Sequence, residues 1–322
     1  MSLLKLRLSV VGTLAIIIGL STLFFTVLLS WTGAFSFTTL ALFVIVINII
    51  QWLLSPYLIG AIYRVKEVTE SDDPELHAMV ERLSQKSGIA KPKVMKANIP
   101  VPNAFAYGSP IAGSRVAVTT ELLKTLEFEE VEAVVGHELG HLKHRDVQVM
   151  MFVSILPALF YYIGYSMLLS SYSSREERGG GAALIGIASM ALYWVLTMFT
   201  LYLSRLREYY ADRHSASIVN DGSRKLSEGL VKIVRSTGKL KRSRRNTGGS
   251  SSLKSLFITD PDHAESDVVS IARVGRQATD QRLVEDILQR KVTSGDRILE
   301  LFSTHPNIVK RLRALQELPE SS

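Results

Sequence analysis

The chain alternates between long uncharged stretches and segments of mixed polarity. Residues 8–30, 35–63, 147–172 and 179–204 contain no Asp, Glu, Lys or Arg. About 20 apolar residues at about 1.5 Å rise cross a hydrocarbon core of about 30 Å, so each stretch predicts a membrane-spanning helix. A helix buried in a soluble core rarely needs more than about 14 uninterrupted apolar residues. For the first stretch the competing reading is a signal peptide cleaved near Ala34-Phe35-Ser36. Its apolar run is too long for a signal core, and a second span follows almost at once. Asn48 and Gln51, inside the second stretch, fit hydrogen bonds to a neighbouring helix better than a transport pathway. The spans hold no ionisable side chain of the kind a transporter or channel requires.

Between the second and third stretches, and after the fourth, the period changes. Leu76, Met79, Val80 and Leu83 recur at helical spacing, behind Asp72 or Asp73 as cap and Pro74 at the first position, with Gly88 as the stop. Residues 93–99, 103–107 and 115–118 read as short strands around Pro100 and Pro102. From Glu129 a helical pattern runs on into the third span. Beyond the fourth come a helix through Ala211 and Ile218, one over 226–234, a loop over 236–254, mixed structure over 257–271, and helices near 283–289 and 306–315. Neither polar segment is long enough to be a comfortable domain alone, so the two combine into one. The expected layout is two transmembrane helices in 1–64, the first part of the polar domain in 65–146, a transmembrane hairpin in 147–204, and the second part in 205–322.

Charge gives the orientation. Lys5 and Arg7, Arg64 and Lys66, Lys143 and Arg145, and Arg205 and Arg207 flank one set of span ends, while the other ends carry only Arg175 and Arg178 beside Glu176 and Glu177. The positive-inside rule then puts both termini and the long polar segments in the cytoplasm. The formal net charge of +7 includes Lys239, Lys241, Arg242, Arg244 and Arg245 of the 236–254 loop. Anionic headgroups attract such residues by about 1 kcal/mol each near the surface; the alternative is a plain solvated linker. No nucleic-acid fold signature or aromatic-interleaved basic strand is present, so no nucleic-acid partner is expected. A chain 47% hydrophobic is not disordered, and zero cysteine removes disulfides, thiolate zinc sites and cysteine nucleophiles. Any metal must be held by histidine and carboxylate.

Such residues stand in His137-Glu138-Leu139-Gly140-His141, within a helical stretch. Positions four apart lie one above the other on a helix, so both imidazoles can reach one ion, with Glu138 close enough to hold a water. Zinc in a hydrolase takes this form, with one further ligand and an open position. His144 lies too far along the axis from His137, about 10 Å, to share the ion easily. Glu208 is better placed, because an even number of spans after the histidines returns the chain to their side of the membrane. Asp212, one turn on, can orient a ligating imidazole. The alternative for Glu208 and Asp212 is a solvated face paired with Arg205 or Arg207.

The HELGH segment preceded by Glu132-Ala133-Val134-Val135-Gly136, the box Glu208-Tyr209-Tyr210-Ala211-Asp212 and the order of the spans resemble the HtpX-type membrane zinc metallopeptidases, related to the CAAX-prenyl endopeptidases. Asn103-Ala104-Phe105-Ala106 and Thr304-His305-Pro306 are also similar to family motifs. The resemblance implies an α-helical integral membrane protein with four transmembrane helices. It adds a mainly helical α+β cytoplasmic zincin-like metallopeptidase domain with a small sheet. It implies one Zn2+ per chain on His137, His141 and Glu208, with Glu138 as catalytic base and Asp212 as supporting carboxylate. His305 becomes the candidate oxyanion stabiliser, with Tyr209 or Tyr210 as rivals and a helix cap as its alternative role. Residues Asn103, Ala104, Phe105 and Ala106 would align substrate by strand addition if they form an exposed edge, or else form an internal strand. The implied activity is endopeptidase cleavage of damaged or misfolded membrane proteins at the cytoplasmic face of the cell membrane, in stress response and quality control.

Overall fold

A computed structural model describes residues 37–173, 179–245 and 280–318. Of these, the residues up to Trp52 and Val149–Thr200 cluster as one unit, and Leu53–Gln148 with the residues from Leu201 onward form the other.

Three helices among the described residues are long and apolar enough to cross a membrane: windows Leu42–Ile62, Asp146–Tyr172 and Gly181–Ile218. They belong to α1 (Phe37–Ile62), α5 (Asp146–Ser173) and α6 (Gly179–Ile218). Leu42, Phe152 and Leu184 are exposed along them, and a helix apolar on all sides needs lipid rather than water around it. In the first unit α5 and α6 meet at glycines. A Cβ on Gly164 would lie 3.1 Å from the carbonyl oxygen of Gly186, and one on Gly186 would lie 2.8 Å from Leu168 Cγ. Small residues let membrane helices approach this closely. The expected first span, 8–30, lies outside the described residues, as do 246–254 and the mixed structure of 257–271.

The second unit is built on a four-stranded sheet of order β1-β2-β4-β3. Its strands are β1 (Val65–Glu67), β2 (Lys93–Ala97), β3 (Ala104–Ser109) and β4 (Gly113–Thr119). β2 runs parallel to β4, while β1 and β3 are antiparallel to their neighbours, with Ala104 opposite Val118 and Ala106 opposite Val116. Alternation divides the side chains. Phe105, Tyr107, Met95 and Ala117 pack with Tyr63 on one face. Val94, Ala104, Val116 and Val118 join the helical core.

That core gathers α2 (Pro74–Ser87), α4 (Phe128–Lys143), α7 (Gly222–Arg245), α8 (Asp280–Leu288) and α10 (Ile308–Gln316); α3 (Thr120–Thr125) and α9 (Ser294–Leu301) complete the set. Leu76, Leu83, Leu139, Leu226, Leu230 and Leu312 are fully buried there, each contributing about 1.5–3 kcal/mol relative to exposure. The start of α2 is as its sequence predicts: Asp73 accepts from the Leu76 N–H, Pro74 opens the helix, and Gly88 closes it at φ 68°.

Three expectations are corrected. The histidine helix does not run on into the next span: α4 ends at Lys143, Arg145 takes a left-handed φ of 54°, and α5 starts at Asp146. The fourth uncharged stretch and the helix after it are one element, α6, because nothing between Ser204 and Ile218 breaks a helix. Residues 236–245 are helical rather than looped. The stripe of Leu226, Leu230 and Val234 continues through buried Thr237, and Lys and Arg are strong helix formers. β1 and α9 were not foreseen.

Candidate metal centre

Helix α4 carries the two histidines one turn apart. Their Nε2 atoms are 3.2 Å apart. His141 Nε2 lies 3.4 Å from Glu208 Oε1, and His137 Nε2 lies 3.6 Å from Glu208 Oε2. Donors at about 2.0–2.1 Å from a tetrahedral zinc stand about 3.3 Å from one another, so this triangle has the dimensions of one face of such a site. His137, His141 and Glu208 are the group of histidine and carboxylate side chains, among the described residues, that could hold an ion.

What surrounds the triangle sets its chemistry. His137 Nδ1 is 2.9 Å from Asp212 Oδ1, and His141 Nδ1 is 2.6 Å from Asp146 Oδ2. A proton carried on Nδ1, beside the carboxylate, would leave each Nε2 lone pair facing the other imidazole and Glu208. Glu208 Oε2 is buried and makes no hydrogen bond among the described residues. Three lone-pair carriers this close, two of them buried and His141 half-buried, repel one another unless positive charge sits among them. The imidazoles record that demand. Burial opposes charge on His141, yet Asp146 and Glu208 lift it to about 10. Burial likewise opposes charge on His137, and Asp212 with Glu208 again prevails. The residues fit a divalent cation.

Glu138 points elsewhere. Burial pushes its carboxyl up, and its Oε2 accepts the Ala106 N–H at 2.7 Å. Ala106 belongs to β3, which is the last strand in the sheet order, so the edge of the sheet faces the helix that carries Glu138. Asn103, Ala104 and Phe105 are buried and Ala106 is partly exposed. Ala104 to Ala106 thus lie on the last strand of the sheet among the described residues, largely buried, with Asn103 just outside the strand.

The glycines of the motif have a packing reason. A Cβ on Gly140 would meet Ala211 Cα at 3.0 Å and His214 Cβ at 3.2 Å. One on Gly136 would meet Ser215 Oγ and Val219 Cγ2 at 3.1 Å. Ser215 Oγ also donates to the Ala133 carbonyl at 2.6 Å. Close contact of α4 with the 208–219 end of α6 brings Glu208 to the histidines. Gly140→Leu is expected to force these backbones apart, reducing metal content and destabilising by about 1–3 kcal/mol. Metal analysis and thermal unfolding of the purified variant check this.

Arg311 and Asp146 went unforeseen. Arg311, fully buried on α10, forks onto Asp212 (Nε to Oδ2 2.9 Å, Nη2 to Oδ1 2.5 Å) and places Nη1 3.2 Å from Glu208 Oε2. Its signal was present: it shares the buried stripe of Ile308, Leu312 and Leu315. Asp146 offered only its nearness to His141. His305 Nδ1 stands 3.1 Å from Glu208 Oε2, and both ring nitrogens lack hydrogen bonds among the described residues. It does not cap the last helix; Asn307 does, accepting from the Val309 N–H. His144 is exposed, its ring 6.1 Å from those of Tyr210 and His214, and is not one of the three converging donors.

Comparison with known proteins gives a consistent picture. Residues 70–319 match the family profile "Peptidase family M48". "Protease HtpX homolog" of Thermoplasma acidophilum is 39% identical over 86% of this chain and 84% of its own length. The Aeropyrum pernix protein of that name is 38% identical over 90% and 88%. Among solved structures, that of S. mikatae Ste24p aligns with a TM-score of 0.57 at 16% identity, over 97% of this chain and 66% of that one. The last likeness is one of fold.

Proposed function

The chain belongs to peptidase family M48 and is a metalloprotease with membrane-spanning helices; on that premise we propose that it is a zinc-dependent endopeptidase of membrane-protein quality control. The observation that carries the reading is the triangle of His137, His141 and Glu208, with the size of a zinc-site face and a demand for positive charge.

His137, His141 and Glu208 would hold the ion, and Asp212 and Asp146 fix the two imidazoles in register. Zinc bound there supplies a Lewis acid that acidifies water and polarises a carbonyl. Glu138 takes a proton from the attacking water and returns it to the leaving amide nitrogen. Its buried position, which raises its affinity for a proton, suits that exchange. His305, whose Nδ1 stands 3.1 Å from Glu208 Oε2, is the side chain beside the ligands that would meet the oxyanion as it forms. The edge of β3 around Asn103 to Ala106 aligns an extended substrate through backbone hydrogen bonds, which suits unfolded chains of varied sequence. Damaged or misfolded membrane proteins are then the substrate class, met at the cytoplasmic face where the basic span ends orient the domain, under stress. The likeness to proteins named Protease HtpX homolog supports the protease part of this reading. The layout that goes with this reading is two transmembrane helices in 1–64 and a membrane hairpin, 147–204, between two sequence segments of one catalytic domain, 65–146 and 205–322.

The test is metal content and turnover of the detergent-purified chain. Wild type is expected to carry one zinc, to lose cleavage of an unfolded test protein on chelation, and to regain it with zinc. Glu208→Ala is expected to lose both metal and turnover. Undiminished occupancy and cleavage in that variant would remove the third ligand and the reading with it.

A further inference from the structure

Helix α9 (Ser294–Leu301) turns two acids inward and two of its three large apolar side chains outward, with Leu299 half-buried. Its buried residues are Asp296 and Glu300, each 7% exposed, whereas Ile298, Leu301 and the adjoining Phe302 are 59%, 52% and 54% exposed. The inversion is built in. Asp296 forms a capping box with Thr293, and Glu300 accepts the Asn307 N–H and pairs with Lys310. The inward carboxylates are therefore satisfied where they lie. Ile298, Leu301 and Phe302 are spaced three and four apart and share one face. Three large apolar side chains together on one exposed face mark a surface that something covers.

The position of that face on the fold says what covers it. Arg205 Nη1 donates to the carbonyls of Glu300 and Ser303, both at 2.8 Å, which fastens the C-terminal end of α9 to α6. Arg205 is the first charged residue after the uncharged stretch 179–204. One turn before it Tyr202 is exposed, and its ring centroid lies 5.9 Å from the Arg205 guanidinium carbon. Tyrosine and arginine at the end of a long apolar helix belong to the boundary between lipid and water. Helix α9 is thus fastened to the stretch of α6 at which the uncharged run ends and such boundary residues begin.

We propose that the Ile298–Leu301–Phe302 face lies in the bilayer interface, making α9 an in-plane anchor. Such helices bury their apolar side about 5–10 Å into the boundary between headgroups and acyl chains. The segment that follows runs from Ser303 to His305, beside Glu208, so lipid holds in place the loop that borders the metal centre. The proposal rests on the membrane passage of α6 and not on the chemistry at Glu138.

The chain has no cysteine, so single introduced thiols can be spin-labelled without background. Ile298→Cys, Phe302→Cys and, as an exposed reference on α8, Glu285→Cys are compared in the full-length protein in phosphatidylcholine vesicles. The readout is collision with oxygen, which concentrates in lipid, against chromium oxalate, which stays in water. At 298 and 302 oxygen is expected to dominate, with chromium collisions severalfold below those at 285. Equal chromium access at all three positions would overturn the anchor. So would shielding of 298 and 302 from both reagents, which would mean a protein partner or a second copy. Two label positions guard against one variant failing to fold.

Discussion

Glu138→Gln is expected to lower kcat/KM for an unfolded test protein by about 10²–10⁴-fold, the usual contribution of a positioned acid or base, while metal content stays at the wild-type level. Glutamine keeps the size of the side chain and an oxygen that can accept the Ala106 N–H. It has no basic oxygen to take up a proton. The two readouts together separate chemistry from assembly: Glu138 stands outside the ligand triangle, so its loss should spare the ion. Full activity in this variant would assign the base elsewhere. Loss of the metal would show instead that Glu138 builds the site rather than acts in it.

Arg311→Met should destabilise the protein by about 3–5 kcal/mol, the range for breaking a buried ion pair by removing one partner. Arg311 is buried between two carboxylates, Asp212 and Glu208, and its own charge is favoured because they outweigh the burial that opposes it. Methionine restores the volume but leaves both carboxylates short of a counter-charge. The metal-depleted form should suffer most, since a bound ion compensates Glu208 from the other side. A cycle with Asp212→Asn isolates the pair: the double variant should recover part of the stability that the single one loses. Arg311→Lys should recover less than wild type, because an ammonium cannot make the two-pronged contact with Asp212. Thermal unfolding unchanged in Arg311→Met would remove its structural role.

Part of this site could be read from residues alone, and the reason is periodicity. His137 and His141 are one helical turn apart, as are Glu208 and Asp212, so each pair needs only a helix to share a face. The even number of uncharged stretches between them then predicts that the two pairs meet on one side of a membrane. Asp146 was hidden because it reaches His141 only through the left-handed turn at Arg145, a conformation non-glycine residues seldom take and composition does not announce. Arg311 was hidden because charges on short helices default to the surface, although its register with Leu312 and Leu315 places it inside. Helix α9 defeats pattern reading, since Asp296 and Glu300 point inward while Ile298 and Leu301 point outward. The basic run from Lys239 onward misled in the opposite sense, being helical through Arg245 where charge and small residues suggested a loop.

The bare backbones at Gly136 and Gly140 have one more implication. Where one of two rods offers only backbone and Ala211 Cα, Ser215 Oγ and Val219 Cγ2 of the other press against it, rotamer changes have little room to alter the spacing, so the opening offered to an ion should be stiff. A stiff aperture sorts guests by radius as well as by affinity. Calcium, which prefers six to eight oxygens at longer range, should be turned away even when abundant, and a compact ion accepting nitrogen should seat with little rearrangement.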